Sequence, residues 1–178
     1  MNNKSKLKIL LTAFIISLLV CNITSCQQKD NSAKENSAPE VILKDYGPAP
    51  AVFNIETHTT SNENFRTALW TGTKLQLVAM SIIVGGEVGL EIHTKTDQFL
   101  RIEEGKAKVL IGDSKESLTF ERTAEEDFAI IIPAGKWHNI INVGDKPLKL
   151  YSIYSPVEHS HGTVHKTFEE AEAEEEHH

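Results

Sequence analysis

Glu91 and His93 stand two residues apart in the stretch GLEIHTKTDQF (89–99), and Gln98 follows five residues later. Side chains alternate along a strand, so Glu91 and His93 share one face while Val88, Leu90 and Ile92 take the other. A carboxylate and an imidazole at i and i+2 are two donors able to converge on one ion. Gln98 comes after a short turn, Thr94 to Asp97, at the start of a further strand whose Leu100 and Ile102 continue its face. A second imidazole, His138, follows the turn Pro133-Ala134-Gly135 that ends an apolar strand. Such a turn sets a side chain at the mouth of a strand, where it can point inward. Two imidazoles and one carboxylate suit Fe(II) or Mn(II), with Zn(II) and Ni(II) also accommodated. The amide of Gln98 is a weaker, neutral donor that leaves a position open for water or substrate. Without an ion the same residues would make a hydrogen-bonded polar core, because buried polar groups persist when they satisfy one another. Spacing alone leaves both readings open.

The elements that must position these residues are strands. LQLVAMSIIV (75–84), FLRIEE (99–104), KAKVLIG (106–112), FAIIIP (128–133) and LKLYSIYS (148–155) are rich in branched and aromatic residues. Gly85-Gly86, Glu104-Gly105, Gly112-Asp113, Ala134-Gly135 and Gly144-Asp145 punctuate them. Short strands at regular spacing predict an all-β sandwich or barrel over residues 52–157. Thr167 followed by Phe168-Glu169-Glu170 has the pattern of a capping box. It predicts a short, acidic and frayed helix within a C-terminal tail, 158–178.

At the site residues two spaced patterns coincide. One runs Gly85, five residues, Glu91, one, His93, four, Gln98, six, Gly105. The other runs Asp127, five residues, Pro133-Ala-Gly135, two, His138, three, Asn142. Together they resemble the two motifs of the cupin superfamily, G-x5-H-x-H-x3–4-E-x6-G and G-x5-P-x-G-x2-H-x3-N. The resemblance spans roughly residues 65–157. It implies a double-stranded β-helix, or jelly-roll barrel, with a short C-terminal helix, holding one divalent metal (Fe, Mn, Zn or Ni) on Glu91, His93, Gln98 and His138. Three positions depart from the pattern: Glu91 replaces a His, Gln98 replaces the Glu, and Asp127 replaces a Gly. The two ligand exchanges keep four donors and one carboxylate. GLEIH…DQF with PAGKWHN is also similar to a group of small bacterial cupins called mannose-6-phosphate isomerase-like, a hint of origin and not of activity.

The N-terminus is set apart from the barrel. Lys4, Lys6 and Lys8 precede a twelve-residue apolar run, Ile9 to Val20, and then Ile23-Thr24-Ser25-Cys26. The run is short for a membrane span and fits the core of a signal peptide. The segment resembles a bacterial lipoprotein signal, which implies cleavage after residue 25 and lipid on Cys26. An ordinary secretory signal or an uncleaved anchor is the alternative, and Cys21 is a poorer site because Val20 before it is branched. Residues 26–51, polar and Pro-containing, read as a tether. Removing residues 1–25 takes three lysines away and moves the formal charge of −7 to −10, since 15 basic residues then face 25 acidic ones. A chain this acidic has no basic patch for nucleic acid. Membrane contact would come from the lipid, at the cell envelope.

Other residues bear on the site beside the four donors. Lys95, Trp137 and Asn142 are expected near a substrate pocket, and Glu91 could act as a base as well as a ligand. The apolar face of Val88, Leu90 and Ile92 needs cover, which suggests a homodimer. Arg66 and Arg101 read as structural ion pairs. In EHSHGTVH (158–165), His159, His161 and His165 read as a polar tail, although His-x-His resembles a metal pair. Ser81, Ser152 and Ser155 have no evident base, so a hydrolase triad is unsupported. The expected activity is that of a metal-dependent isomerase, lyase or dioxygenase acting on a small polar or carbohydrate-like molecule. The alternatives are a non-catalytic module binding a sugar or other small ligand, and a metal-free structural dimer.

Overall fold

The computed structural model of the chain describes residues 40–175. Residues 1–25, expected to be a signal peptide, together with Cys26 and the terminal His177 and His178, lie outside the described residues. The order of elements is α1 (Ile55–Thr60), β1 (Arg66–Thr71), β2 (Gln76–Ile82), β3 (Glu91–Ile92), β4 (Asp97–Glu104), β5 (Lys106–Gly112), β6 (Phe120–Glu125), β7 (Ala129–Ile132), β8 (Trp137–Asn142), β9 (Leu148–Ser155), β10 (Val164–His165) and α2 (Phe168–Glu175). The strands form two antiparallel sheets: six strands in the order β10-β1-β2-β9-β4-β7, and four in the order β3-β8-β5-β6. Val78, Met80, Leu100 and Leu150 of the larger sheet meet Val109, Ala124 and Ile140 of the smaller in one core. This is the expected jelly roll. Among the described residues no helix is long and apolar enough to cross a membrane.

Period-two patterning makes the sheets. Along β4, Gln98, Leu100 and Ile102 turn inward and are buried, while Phe99 and Arg101 face outward and are only partly covered. Each buried Leu or Ile contributes roughly 2 kcal/mol by leaving water. Two polar residues, Gln98 and Ser152, share the inner face with this apolar set at one end of the barrel. That end carries the candidate site.

One alternation fails, and a glycine is the reason. Val88 does not share an outer face with Leu90: it is 4% exposed and belongs to the core, whereas Leu90 is 44% exposed. Gly89 between them has φ of 103°, which breaks the strand and shortens β3 to two residues. The apolar outer face expected from Val88, Leu90 and Ile92 is therefore not formed. A different outer face is: Trp70, Leu77, Ile153, Phe99 and Ile131 are successive cross-strand partners across β1, β2, β9, β4 and β7.

Asp127, which stands where the second motif has Gly, adopts a left-handed φ of 71°. Asp tolerates this conformation better than most residues. Its carboxylate also pairs with Arg101, which in turn pairs with Glu103. Arg101 is thus the structural ion pair expected.

The two flanking segments are better ordered than their composition suggests. α2 is not a frayed tail. Thr167 Oγ1 accepts from Glu170 N–H at 3.3 Å, Phe168 stands edge-on to Phe65 with centroids 5.6 Å apart, and Ala171 is buried. Within the span expected as a tether, residues 26–39 lie outside the described residues. Beyond them, Tyr46 N–H donates to Leu69 O, Asp45 accepts from Thr71 N–H and Oγ1–H, and Ala49 O accepts from the Trp70 indole. These bonds dock residues 45–49 onto β1.

Candidate metal centre

Glu91 and His138 are direct partners in the β3–β8 pairing, so their side chains rise from the same face of the small sheet. His93 lies just past β3, and its carbonyl accepts from Gly135 N–H at 2.8 Å. Gly135 has φ of 79°, so the turn before His138 requires glycine. These constraints bring one donor atom from each of Glu91, His93 and His138 within 4.8 Å of one another. Glu91 Oε1 is 3.2 Å from His93 Nε2 and 3.1 Å from His138 Nε2. The two rings are 5.4 Å apart.

The outer nitrogens fix the protons. His93 Nδ1 is 3.0 Å from Glu158 Oε1, and His138 Nδ1 is 3.0 Å from the carbonyl of Lys136. A carbonyl and an ionised carboxylate only accept, so each Nδ1 carries a proton. A neutral ring then turns a lone pair at Nε2 toward an oxygen of Glu91 that also bears lone pairs. That arrangement is stable in two ways: a second proton on the ring, or a cation where the three atoms converge. An imidazole whose far nitrogen is held by a carboxylate or carbonyl is the usual outer arrangement of a metal ligand.

The electrostatics follow from these contacts. Burial pushes the Glu91 carboxyl upward, but hydrogen bonds from His138 and His93 outweigh it and hold the group well below the usual carboxylate range. Burial likewise opposes charge on His93, yet Glu158 and Glu91 raise it to about 9. The His93 hydrogen bond holds Glu158 below its ordinary value. Burial lowers His159 to about 3, so that ring is neutral at ordinary pH.

Gln98 is 2% exposed, and its Nε2 donates to Ser152 Oγ at 3.0 Å and to Tyr154 Oη at 3.1 Å. Both amide protons are thereby used. Its Oε1 is buried with no hydrogen-bond partner among the described residues. Tyr154 also stands edge-on to the His93 ring at 5.5 Å, which ties Gln98 to the trio. An orphaned amide oxygen here fits a weak fourth donor.

A cavity of about 520 Å³ opens at Glu91 and His93, and Arg66, Glu158, His159 and His165 also wall it. The segment after β9 thus supplies much of the wall. The reading of EHSHGTVH as a polar tail is corrected: His159 and His165 face the cavity, while His161 turns away to Gly47 O at 3.0 Å. His159 and His161 do not form a metal pair, since they point to different sides. Arg66 belongs to the cavity wall and is 2% exposed. The only sequence signal for this wall was the density of His and Glu after the last long strand.

Three residues expected at the pocket lie elsewhere. Asn142 directs Nδ2 at the carbonyls of Ile82, Ile83 and Lys146 and accepts from Gly144 N–H, so its polar atoms are spent on holding a turn. Trp137 neighbours His138 on β8, and alternation sends its ring to the opposite face. Lys95 is exposed in the turn before β4 and does not line the cavity.

Comparison with known proteins agrees with the fold. Residues 78–154 match the family model described as the cupin domain. YrkC of Bacillus subtilis is 55% identical over 135 residues, covering 76% of this chain and 73% of that protein. Protein L612 of Acanthamoeba polyphaga mimivirus is 40% identical over 114 residues, covering 64% and 69%. A Bacillus halodurans protein of known crystal structure superposes with a TM-score of 0.73 at 55% identity, over 73% of this chain and 98% of that one.

The proton count makes a prediction for protein stripped with a chelator. His93 has a folded value of about 9 against 6.5 when unfolded. Its contribution is therefore complete below pH 6.5 and is lost as pH rises through 9, on the order of 3 kcal/mol in all. Thermal melting followed from pH 6 to 9.5 is expected to show this fall, and His93→Gln is expected to flatten it. A wild-type profile as flat as the variant's would refute the assignment.

Proposed function

This chain belongs to the cupin family, and from that premise we propose that Glu91, His93 and His138 hold one divalent metal ion, with Gln98 Oε1 as a weaker fourth donor, in an enzyme acting on a small polar molecule. The observation that carries this reading is the orientation of the two imidazoles. Each Nδ1 is fixed as a donor by an acceptor outside the site, and each Nε2 is turned to the same oxygen of Glu91. When bound, such an ion supplies Lewis acidity toward a carbonyl or enediolate oxygen, or a redox centre for O₂, which are the requirements of isomerase, lyase or dioxygenase chemistry. The donor set suits Fe, Mn, Zn or Ni.

The chain's own residues do the rest. Glu158 and the Lys136 carbonyl keep the rings in one tautomer and one orientation. Gln98, with its amide protons held by Ser152 and Tyr154, presents a neutral oxygen that yields readily to water or substrate. Glu91 borders the cavity, so its carboxylate is within reach of a proton on a bound molecule. A second reading has one favourable observation: the trio already satisfies itself at hydrogen-bond distances, as a metal-free polar core or a non-catalytic ligand site would.

Metal content separates the two. Mass spectrometry on the full chain without an added tag is expected to find close to one ion per chain. His93→Ala and His138→Ala are expected to abolish it, and Gln98→Ala to weaken affinity by about tenfold. No metal above background after anaerobic loading with Fe(II), Mn(II), Zn(II) and Ni(II) would remove the metalloenzyme reading.

Two further proposals concern place and assembly. From the sequence alone, Cys26 is the lipidated first residue of a bacterial cell-envelope lipoprotein. The intact mass of membrane-fraction protein is expected to correspond to a chain starting at Cys26 with added diacylglyceryl and acyl groups, and an unmodified Cys26 would overturn it. A homodimer is supported by the outer row from Trp70 to Ile131, where Ile131 is 69% exposed. Sedimentation is expected to find a dimer that Ile131→Glu dissociates; a monomeric wild type at high concentration would exclude it.

A further inference from the structure

Arg66, His159 and His165 wall the cavity but take no part in the metal centre. Arg66 and His165 are direct partners in the β1–β10 pairing, and Arg66 is also the partner of Met80 in the core. Both side chains therefore point into the barrel, and they are 2% and 6% exposed. A guanidinium on the inner face of a jelly roll places a permanent positive charge and a planar set of N–H donors at the cavity wall.

The two imidazoles are pinned. His159 N–H donates to Gln76 Oε1 and its carbonyl accepts from Gln76 Nε2, both at 2.9 Å, and Gln76 is fully buried. The His159 ring stands edge-on to Tyr154 at 5.1 Å. His165 Nε2 is 2.6 Å from Glu174 Oε2, so Nε2–H donates and a neutral ring keeps a lone pair at Nδ1. His159 Nε2 and His165 Nδ1 are both buried, and neither has a hydrogen-bond partner among the described residues. Groups fixed so firmly do not swing away to find partners. A molecule in the cavity meets them where they stand.

We propose that this end of the cavity is the recognition subsite for a small hydroxycarboxylate, its carboxylate taken by Arg66 and His159 Nε2–H and a hydroxyl donated to His165 Nδ1, with the rest of the molecule facing Glu91 and His93. This deepens the function proposed above and rests on that reading for what happens at the far end. The charges favour a monoanion. Glu91, Glu158 and Glu174 wall the same cavity, and against Arg66 and one divalent ion they leave little room for the two charges of a phosphate monoester. Arg66 supplies a planar fork for a carboxylate, and His165 Nδ1, as an acceptor, selects for a hydroxyl beside it.

Calorimetric titration of the full chain with D-glycerate, gluconate, propionate, glycerol and inorganic phosphate tests this, with metal content measured on the same samples. At least one hydroxy acid is expected to bind saturably, with propionate, glycerol and phosphate at least tenfold weaker. Arg66→Gln is expected to lose tenfold or more at unchanged metal content. His165→Leu is expected to erase the preference for glycerate over propionate. His159→Ala carries the same expectation as Arg66→Gln and keeps the test decisive if that variant does not fold. Binding of glycerol or phosphate as tight as that of the hydroxy acids, or equal affinity in the Arg66 and His159 variants, would overturn the subsite. A chain that holds metal but binds neither hydroxy acid overturns the subsite alone. A chain without metal that binds glycerate through Arg66 overturns the metal reading and supports the subsite.

Discussion

The site depends on one shared oxygen. Glu91 Oε1 lies within 3.2 Å of two imidazole nitrogens, and the β3–β8 register sets it there. A buried carboxylate stays ionised only where positive charge or donors converge on it, whether those are protons on the rings or an ion between them. Much of the local architecture serves that convergence. Gly89 breaks the preceding strand, so Glu91 enters at the right register while Val88 returns to the core. Gly135 makes the turn that delivers His138 and anchors the His93 carbonyl. The carboxylate of the trio is thus on β3, between the two rings, while the β4 position carries the neutral amide of Gln98.

The wall opposite is built late in the chain. After β9, the segment from Glu158 to His165 folds back over the barrel end, tied by the two Gln76 bonds and by β10 against β1. α2 then closes the edge through Phe168 and Ala171. This segment gives His93 its outer partner, Glu158, and gives the cavity its neutral His159. The C-terminal segment is therefore part of the barrel end that carries the candidate site, coupling its docking to the orientation of His93.

Most of the fold was legible in the sequence because it rests on local rules. Alternating branched residues bounded by Gly and Asp specify strands, and two spaced motifs specify the barrel. The trio of Glu91, His93 and His138 was legible for the same reason: i, i+2 spacing and a Pro-Ala-Gly turn are local geometry. The motifs also placed Asn142 correctly in sequence, but its neighbourhood gave it another task, holding the carbonyls of Ile82, Ile83 and Lys146. Lys95 and Trp137 were misplaced because nearness in sequence to a ligand says nothing of which side of a strand or turn a residue takes.

The sequence by itself determined an all-β barrel pattern, a resemblance to the cupin motifs, and the nearness of Glu91, His93 and His138, since strand period, turn chemistry and motif spacing are encoded within a few residues. Only the tertiary structure decided that Arg66, His159 and His165 meet at that mouth, and that the acidic C-terminal stretch docks and is not frayed. Those residues lie far apart along the chain, from β1 to beyond β9, and their contacts arise from sheet order and from burial of Phe168 and Ala171. Composition marks a segment of His and Glu as polar. Whether it is solvated or turned inward depends on partners such as Gln76 and Glu174, which no local pattern reveals.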